Sequence, residues 1–172
     1  MTATPGYASA GTEARIVVDG EACTLPVECE TQDLLTVLRE TFGVLAPKEG
    51  CGTGVCGACT VLLDGQIVNA CTTLAGDVVG CEVTTASGVA NGPGSDVATC
   101  LVAAGGIQCG FCSPGFVVAI SSLLEREPAA TDTAARLALA GNLCRCTGYG
   151  RILAAVRMVQ EQRGTRQPGE AP

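Results

Sequence analysis

Alternating apolar and polar positions open the readable part of the chain. Ala14 to Val18 and Glu21 to Val27 have the period-two pattern of short strands, joined at Asp19-Gly20, a dipeptide suited to a tight hairpin turn. The period then lengthens. Leu34, Leu35 and Leu38 fall on one face of a helix predicted over about Asp33 to Thr41, with Thr31 as its N-cap and Gly43 near its end. Strand periodicity returns in Thr60–Leu63 and Gln66–Asn69, turned at Asp64-Gly65, and in a short run at Glu82 to Thr85. These pieces predict a small mixed sheet with one helix across it.

Ser87 to Ser95 (S-G-V-A-N-G-P-G-S) breaks the pattern, and its Gly, Asn, Ser and Pro content predicts a linker. Beyond it the pattern is helical. Asp96 to Ala104 is a first helix. Ser113-Pro114 reads as an N-cap followed by proline at the first helical position, opening a second helix with Phe116, Val117, Ile120, Leu123 and Leu124 on one stripe. Thr131 caps a third, Ala-rich helix running to about Ala140, with Gly141 as its stop. A fourth, from Arg151 to about Gln162, carries Ile152, Leu153, Val156 and Val159. Four short amphipathic helices imply a bundle. The expected organisation is α+β: a flexible leader (1–13), a sheet domain (14–88), a linker (89–95), a helical domain (96–163) and a flexible tail (164–172).

Composition narrows the chemistry. The 172 residues are 47% hydrophobic but only 3% aromatic, with no Trp, so Ala, Val, Leu and Ile must build the core. Net charge is −7, which disfavours nucleic acid and an anionic membrane surface. Residues 1–91 hold 11 acidic against 3 basic side chains, whereas residues 92–172 hold 6 against 7. Either the two halves face different surroundings, or the acidic residues simply keep a small domain soluble. The N-terminus has no basic or apolar signal region, and the longest apolar run is too short to span a bilayer, so a cytoplasmic protein is expected. His is absent, which removes Rieske ligation, His-bound zinc and any Ser–His or Cys–His nucleophile. Lys48 is the one lysine, and no phosphate-binding glycine motif is present.

Twelve cysteines remain to be explained. In a reducing compartment, paired thiols bind metal more often than they form disulfides. Cys51, Cys56, Cys59 and, after eleven more residues, Cys71 have the C-x4-C-x2-C…C spacing in which four thiolates hold a [2Fe–2S] cluster. Gly50, Gly52, Gly54 and Gly57 let such a loop pack close to an inorganic core. Structural zinc is the competing reading, but zinc sites usually pair two separate knuckles. The second set lies in Q-C-G-F-C-S-P-G (108–115) and G-N-L-C-R-C-T-G-Y (141–149), each just before a helix start, where amides and the helix dipole favour negative charge. Cys144 and Cys146, as close neighbours, suggest two ligands of one iron. Cys23, Cys29, Cys81 and Cys100 are assigned to packing or incidental surface. Arg145 either tunes the site by its charge, pairs with an acidic partner group, or is solvated. Tyr149 is expected in the core.

The sheet half resembles the β-grasp fold of plant-type ferredoxins. Over residues 14–160, with K-E-G-C-G-x-G-x-C-G-A-C-T-V, I-Q-C-G-F-C-S-P-G and G-N-L-C-R-C-T-G-Y as anchors, the chain resembles the iron–sulfur small subunits of the xanthine oxidase family of molybdenum hydroxylases. The resemblance implies a β-grasp domain followed by a four-helix-bundle domain, each with one [2Fe–2S] cluster. The first would be held by Cys51, Cys56, Cys59 and Cys71, the second by Cys109, Cys112, Cys144 and Cys146. It further implies that Gln108 and Cys146 contact the molybdopterin of a large partner subunit. The first cluster would face an FAD-binding medium subunit, in a heterotrimer whose further dimerisation stays open. The chain would then be a free-standing, non-catalytic electron-transfer subunit, passing electrons singly from molybdenum to FAD. A free two-cluster ferredoxin-like carrier is the alternative.

Overall fold

The computed structural model describes residues 14–165. The expected leader, and the tail beyond Thr165, lie outside that range. Five strands form one sheet: β1 (Arg15–Val18), β2 (Glu21–Thr24), β3 (Thr60–Leu63), β4 (Gln66–Asn69) and β5 (Glu82–Thr84), in the order β2-β1-β5-β3-β4. The β1–β5 pair is parallel and the other pairs are antiparallel. Both hairpins form where expected. Asp19 and Gly20 have φ of 50° and 86°, and Asp64 and Gly65 have 47° and 78°, the double left-handed geometry of a two-residue turn.

The helix after β2 starts as α1 (Leu34–Thr36) and widens into a π turn over Val37–Thr41. Asp33, not Thr31, is its cap: Oδ1 accepts the Thr36 N–H at 2.9 Å and Oδ2 accepts the Thr36 hydroxyl at 2.7 Å. A carboxylate one position before the helix reaches the free amides, while Thr31 lies two residues too early.

The stretch expected as a linker is largely helical, α2 (Ala86–Asn91). A local cap and a residue distant in sequence hold it. Thr85 caps it, its Oγ1 accepting the Ser87 N–H at 3.1 Å, and the Asp19 carboxylate takes both the N–H and the hydroxyl of Thr85 at 2.6 Å. Glycine at 88 is required here, since a Cβ would stand 2.3 Å from Asp19 Oδ1. The expected four helices follow as α3 (Ser95–Ala103), α4 (Ser113–Arg126), α5 (Asp132–Ala138) and α6 (Gly150–Arg163). Thr131 caps α5 as expected, accepting the Ala134 N–H at 3.1 Å. At α4 the cap is Cys112 rather than Ser113. Among the described residues no helix is long and apolar enough to cross a membrane.

Two hydrophobic clusters result. Ile16, Val18, Leu34, Leu35, Leu38, Val61 and Val83 fill the space between the sheet and α1. Phe116, Ile120, Leu124, Leu101, Val156 and Val159 fill the space among the helices, joined by Val89 of α2 and Leu62 of β3. Successive strand residues face opposite ways, so β3 gives Val61 to one cluster and Leu62 to the other. This explains why Thr-Val-Leu-Leu shows no alternation: the strand is covered on both faces.

Candidate iron–sulfur sites

The first cysteine set lies on the loop between α1 and β3 and just past the end of β4. Gly52, Gly54 and Gly57, at φ of 64°, 73° and 68°, turn the loop repeatedly through the left-handed region. The turns aim backbone amides inward. The N–H groups of Thr53, Val55 and Cys56 each donate to Cys51 Sγ at 3.4 Å. The Thr53 hydroxyl, with these amides, lowers the Cys51 thiol to about 6. At Gly50 a Cβ would stand 2.9 Å from Cys56 Sγ.

Cys71 is delivered by the turn after β4. Asn69 Nδ2 donates to the Gly54 carbonyl at 2.9 Å and ties that strand end to the loop. Cys59 and Cys71 then bring their sulfurs to 3.3 Å. Burial pushes the Cys59 thiol up to about 11. One member of the set is thus surrounded by donors, while another sits in apolar surroundings beside its partner.

The second set forms a cross-pairing. Cys109 and Cys146 bring their sulfurs to 3.6 Å, and the Cys112 thiol is hydrogen-bonded to Cys144. Cys144 and Cys146, read from the sequence as able to ligate one iron together, each face a different cysteine here. The chain bends at 145–147, so the buried Cys144 turns inward to the start of α4 and the exposed Cys146 turns outward to Cys109. Burial pushes the Cys112 thiol up to about 12. Burial also pushes Cys144 upward, but the hydroxyl and N–H of Thr147 and the N–H of Cys146 outweigh it and hold the thiol below its ordinary range. Phe111, Leu143 and Arg145 join Cys109, Cys112 and Cys146 around a cleft of about 210 Å³. Arg145 is exposed at this rim, and Gln108, next to Cys109 in sequence, is exposed as well.

Three residues that the sequence reading left without a site role support these loops. Tyr149 is left-handed, with φ of 67°. Its hydroxyl accepts the Cys144 N–H at 3.0 Å and donates to the Asn142 carbonyl at 3.2 Å, and its ring packs edge-on against Phe116. Thr147 donates its hydroxyl to Cys144 Sγ at 3.1 Å. Asn142, 5% exposed, donates to the Gly57 carbonyl at 3.0 Å and to Thr60 Oγ1 at 3.2 Å. All three lie in the G-N-L-C-R-C-T-G-Y run, so the motif that locates Cys144 and Cys146 also holds their supports.

The two sets touch. Leu143, one residue before Cys144, donates its N–H to the Cys56 carbonyl at 2.9 Å. Gly57 faces Gly141 and Gly115 so closely that a Cβ at 57 would stand 2.4 Å from the Gly141 carbonyl, and one at 115 would stand 2.2 Å from the Gly57 carbonyl. The remaining cysteines belong elsewhere. Cys100 is in the helical cluster and Cys29 in the sheet cluster, while Cys23 and Cys81 are half-buried.

This donor set fits two-iron centres. Among the described residues no three or more His, Cys, Asp or Glu side chains converge as they would on one ion. The sulfurs come instead in close pairs, as two irons taking two thiolates each require. Amides and a hydroxyl aimed at Cys51 and Cys144 suit thiolate charge, and the side-chain-free glycines leave room beside them.

The family described as a [2Fe-2S] binding domain matches residues 85–157. The nicotinate dehydrogenase small FeS subunit of Eubacterium barkeri is 44% identical over 146 residues, covering 84% of this chain and 92% of its own. The xanthine dehydrogenase iron-sulfur-binding subunit of Escherichia coli O157:H7 is 46% identical over 126 residues, covering 72% of this chain and 79% of its own. Among solved structures, a chain of quinoline 2-oxidoreductase from Pseudomonas putida 86 superimposes with a TM-score of 0.80 at 34% identity, covering 90% of this chain and 98% of that one. The chain therefore belongs to the [2Fe–2S] small subunits of the xanthine oxidase family of molybdenum hydroxylases.

Proposed function

We propose that Cys51, Cys56, Cys59 and Cys71 hold one [2Fe–2S] cluster and Cys109, Cys112, Cys144 and Cys146 hold a second. The chain is then the electron-transfer subunit of a molybdenum hydroxylase, and does no bond-making itself. A bound [2Fe–2S] cluster supplies a carrier that takes up and releases one electron at a time. The chain's residues bind, orient and tune. The backbone amides of Thr53, Val55 and Cys56 steady the Cys51 thiolate, and Thr147 and Tyr149 fix Cys144.

The observation that carries this reading is the Leu143–Cys56 hydrogen bond. It brings a residue adjacent to one cysteine set against a member of the other. The sheet with α1 reads as a β-grasp unit over 14–88, and α3 to α6 as a four-helix bundle over 96–163. Because α2 contributes Val89 to the helical cluster, the second unit draws in residues of the 89–95 stretch as well.

We further infer that electrons leave molybdopterin on a large partner subunit, with Gln108 and Cys146 as the contacts. They exit toward FAD on a medium subunit that meets the acidic half, in a heterotrimer. A free ferredoxin-like carrier is disfavoured by the match to dedicated small subunits over nearly their whole length.

Purification of the native complex tests the reading. Expected are about four irons and about four acid-labile sulfides per chain, with molybdenum and flavin on co-eluting subunits. Cys56→Ser should abolish one of two paramagnetic signals and leave the other. Loss of both signals from a still-folded chain, or a lone small brown protein in the native extract, would overturn it.

A further inference from the structure

Thr147 has a hydroxyl whose direction is fixed from both sides. The Tyr149 N–H donates to Thr147 Oγ1 at 3.2 Å, occupying a lone pair. The hydroxyl proton is left to point at Cys144 Sγ, 3.1 Å away. Tyr149 reaches back only because it is left-handed, a conformation that costs a non-glycine residue about 1–2 kcal/mol. Its own hydroxyl and ring hold it there, bonded to Cys144 N–H and Asn142 C=O and packed on Phe116. The same tyrosine hydroxyl takes the Cys144 N–H, so that amide is engaged away from the sulfur. The N–H groups of Thr147 and Cys146 also face Cys144 Sγ. The hydroxyl is the oxygen donor in this group, and a substitution can remove it without touching the backbone.

We propose that Thr147 is a redox-tuning residue: acting through Cys144, its hydroxyl raises the reduction potential of the cluster in the helical half. This rests on the assignment of Cys144 as a ligand. One electron arrives, no bond forms or breaks, and the proton stays on Oγ1. Part of the added charge falls on the ligating sulfur, so a hydrogen bond to it is stronger in the reduced state than in the oxidised one. The strained Tyr149 is then part of the device, because it keeps the hydroxyl from rotating away. A purely structural Thr147 would instead be a loop brace, whose loss affects folding but not potential.

The test is a redox titration of the complete complex, followed by its two paramagnetic signals. Thr147→Val, close in shape but without the hydroxyl, should move one signal's midpoint to more negative potential. At the wild-type midpoint the reduced-to-oxidised ratio should fall about tenfold, as expected for losing a hydrogen bond to a charged group. The other signal should not move, and Thr147→Ser should restore the wild-type midpoint. Unmoved midpoints in Thr147→Val with both signals intact, or equal shifts in the Val and Ser variants, would overturn the proposal. A wild-type complex showing one signal only would overturn the ligand assignment, and this proposal with it. Should Thr147→Val fail to load clusters, the wild-type complex carries the test. After brief exchange into D2O, a deuteron strongly coupled to the helical-half signal supports the proposal, and no exchangeable coupling there overturns it.

Discussion

The backbone N–H of Leu143 and the carbonyl of Cys56 meet at 2.9 Å across 87 residues of sequence, and the Asn142 side chain doubles the link through Gly57 and Thr60. The two cysteine loops therefore form one polar seam between two apolar clusters. Asn142, Gly57 and Thr60 are buried, so each partner lost among them leaves a desolvated donor or acceptor behind.

Asn142→Ala removes two of those bonds at once. It should destabilise the protein by about 1–3 kcal/mol, the cost of leaving buried polar groups unpaired. Chemical denaturation of the variant against the wild type measures this. An unchanged midpoint would show the seam to be solvated.

Gly115→Ala tests the same seam sterically. The new methyl group would meet the Gly57 carbonyl at 2.2 Å, and a carbonyl on a packed loop has nowhere to retreat. A cost of about 1–3 kcal/mol is expected from overpacking. The interaction between the two paramagnetic centres should also weaken as the loops part. Gly110→Ala, where nothing lies within 4 Å of the added carbon, is the comparison. It carries only the backbone strain of its φ of 82°.

An ion pair ties α3 to α6. Arg163 Nε and Nη2 meet the Asp96 carboxylate at 2.7 and 2.8 Å, and this guanidinium holds the Asp96 carboxyl below its ordinary range. A depressed carboxyl pKa adds stability above its unfolded value, near 3.9, and that contribution is lost as pH falls through the folded value. Asp96→Asn should therefore cost stability at neutral pH and progressively less as the medium becomes acidic. Both side chains are about a quarter exposed, so the difference should not exceed about 1 kcal/mol. Urea titrations of both proteins across the acid range give the comparison.

Protein stripped of iron should show unequal thiols. Cys51, lowered to about 6, is mainly thiolate at neutral pH, whereas Cys59 at about 11 and Cys112 at about 12 are protonated. Brief alkylation near neutrality, read by peptide mass, should label Cys51 well ahead of the other two. Labelling of Cys59 first would contradict the donor-rich loop described for Cys51.

Local chemistry made much of this legible in advance. Asp19-Gly20 and Asp64-Gly65 announce their hairpins because few other pairs tolerate two left-handed residues, and Thr131 announces a helix start. The eight cysteines stand out by spacing alone. What escaped depends on distant contacts. The helix in the Gly-rich stretch is held by Asp19, 66 residues before its cap Thr85, and by burial of Val89. The pairing of Cys144 with Cys112 follows from a bend that Tyr149 imposes, and no spacing rule encodes a bend. Thr31 and Asp33 are both competent caps, and only the backbone path chooses between them.

Strand β3 divides its side chains between the two clusters, and this has a bearing on biosynthesis. A nascent chain folds from its N-terminus, and the sheet with α1 is fully encoded before α4 is made. Until α4 emerges, Leu62 has no helix to cover it, and until residue 142 follows, the loop carrying Cys51, Cys56 and Cys59 lacks its brace from Asn142. The first cysteine set to be synthesised is therefore the one whose pocket is finished by the last part of the chain. Metal delivery to either site is best matched to a completed polypeptide rather than to one still being translated.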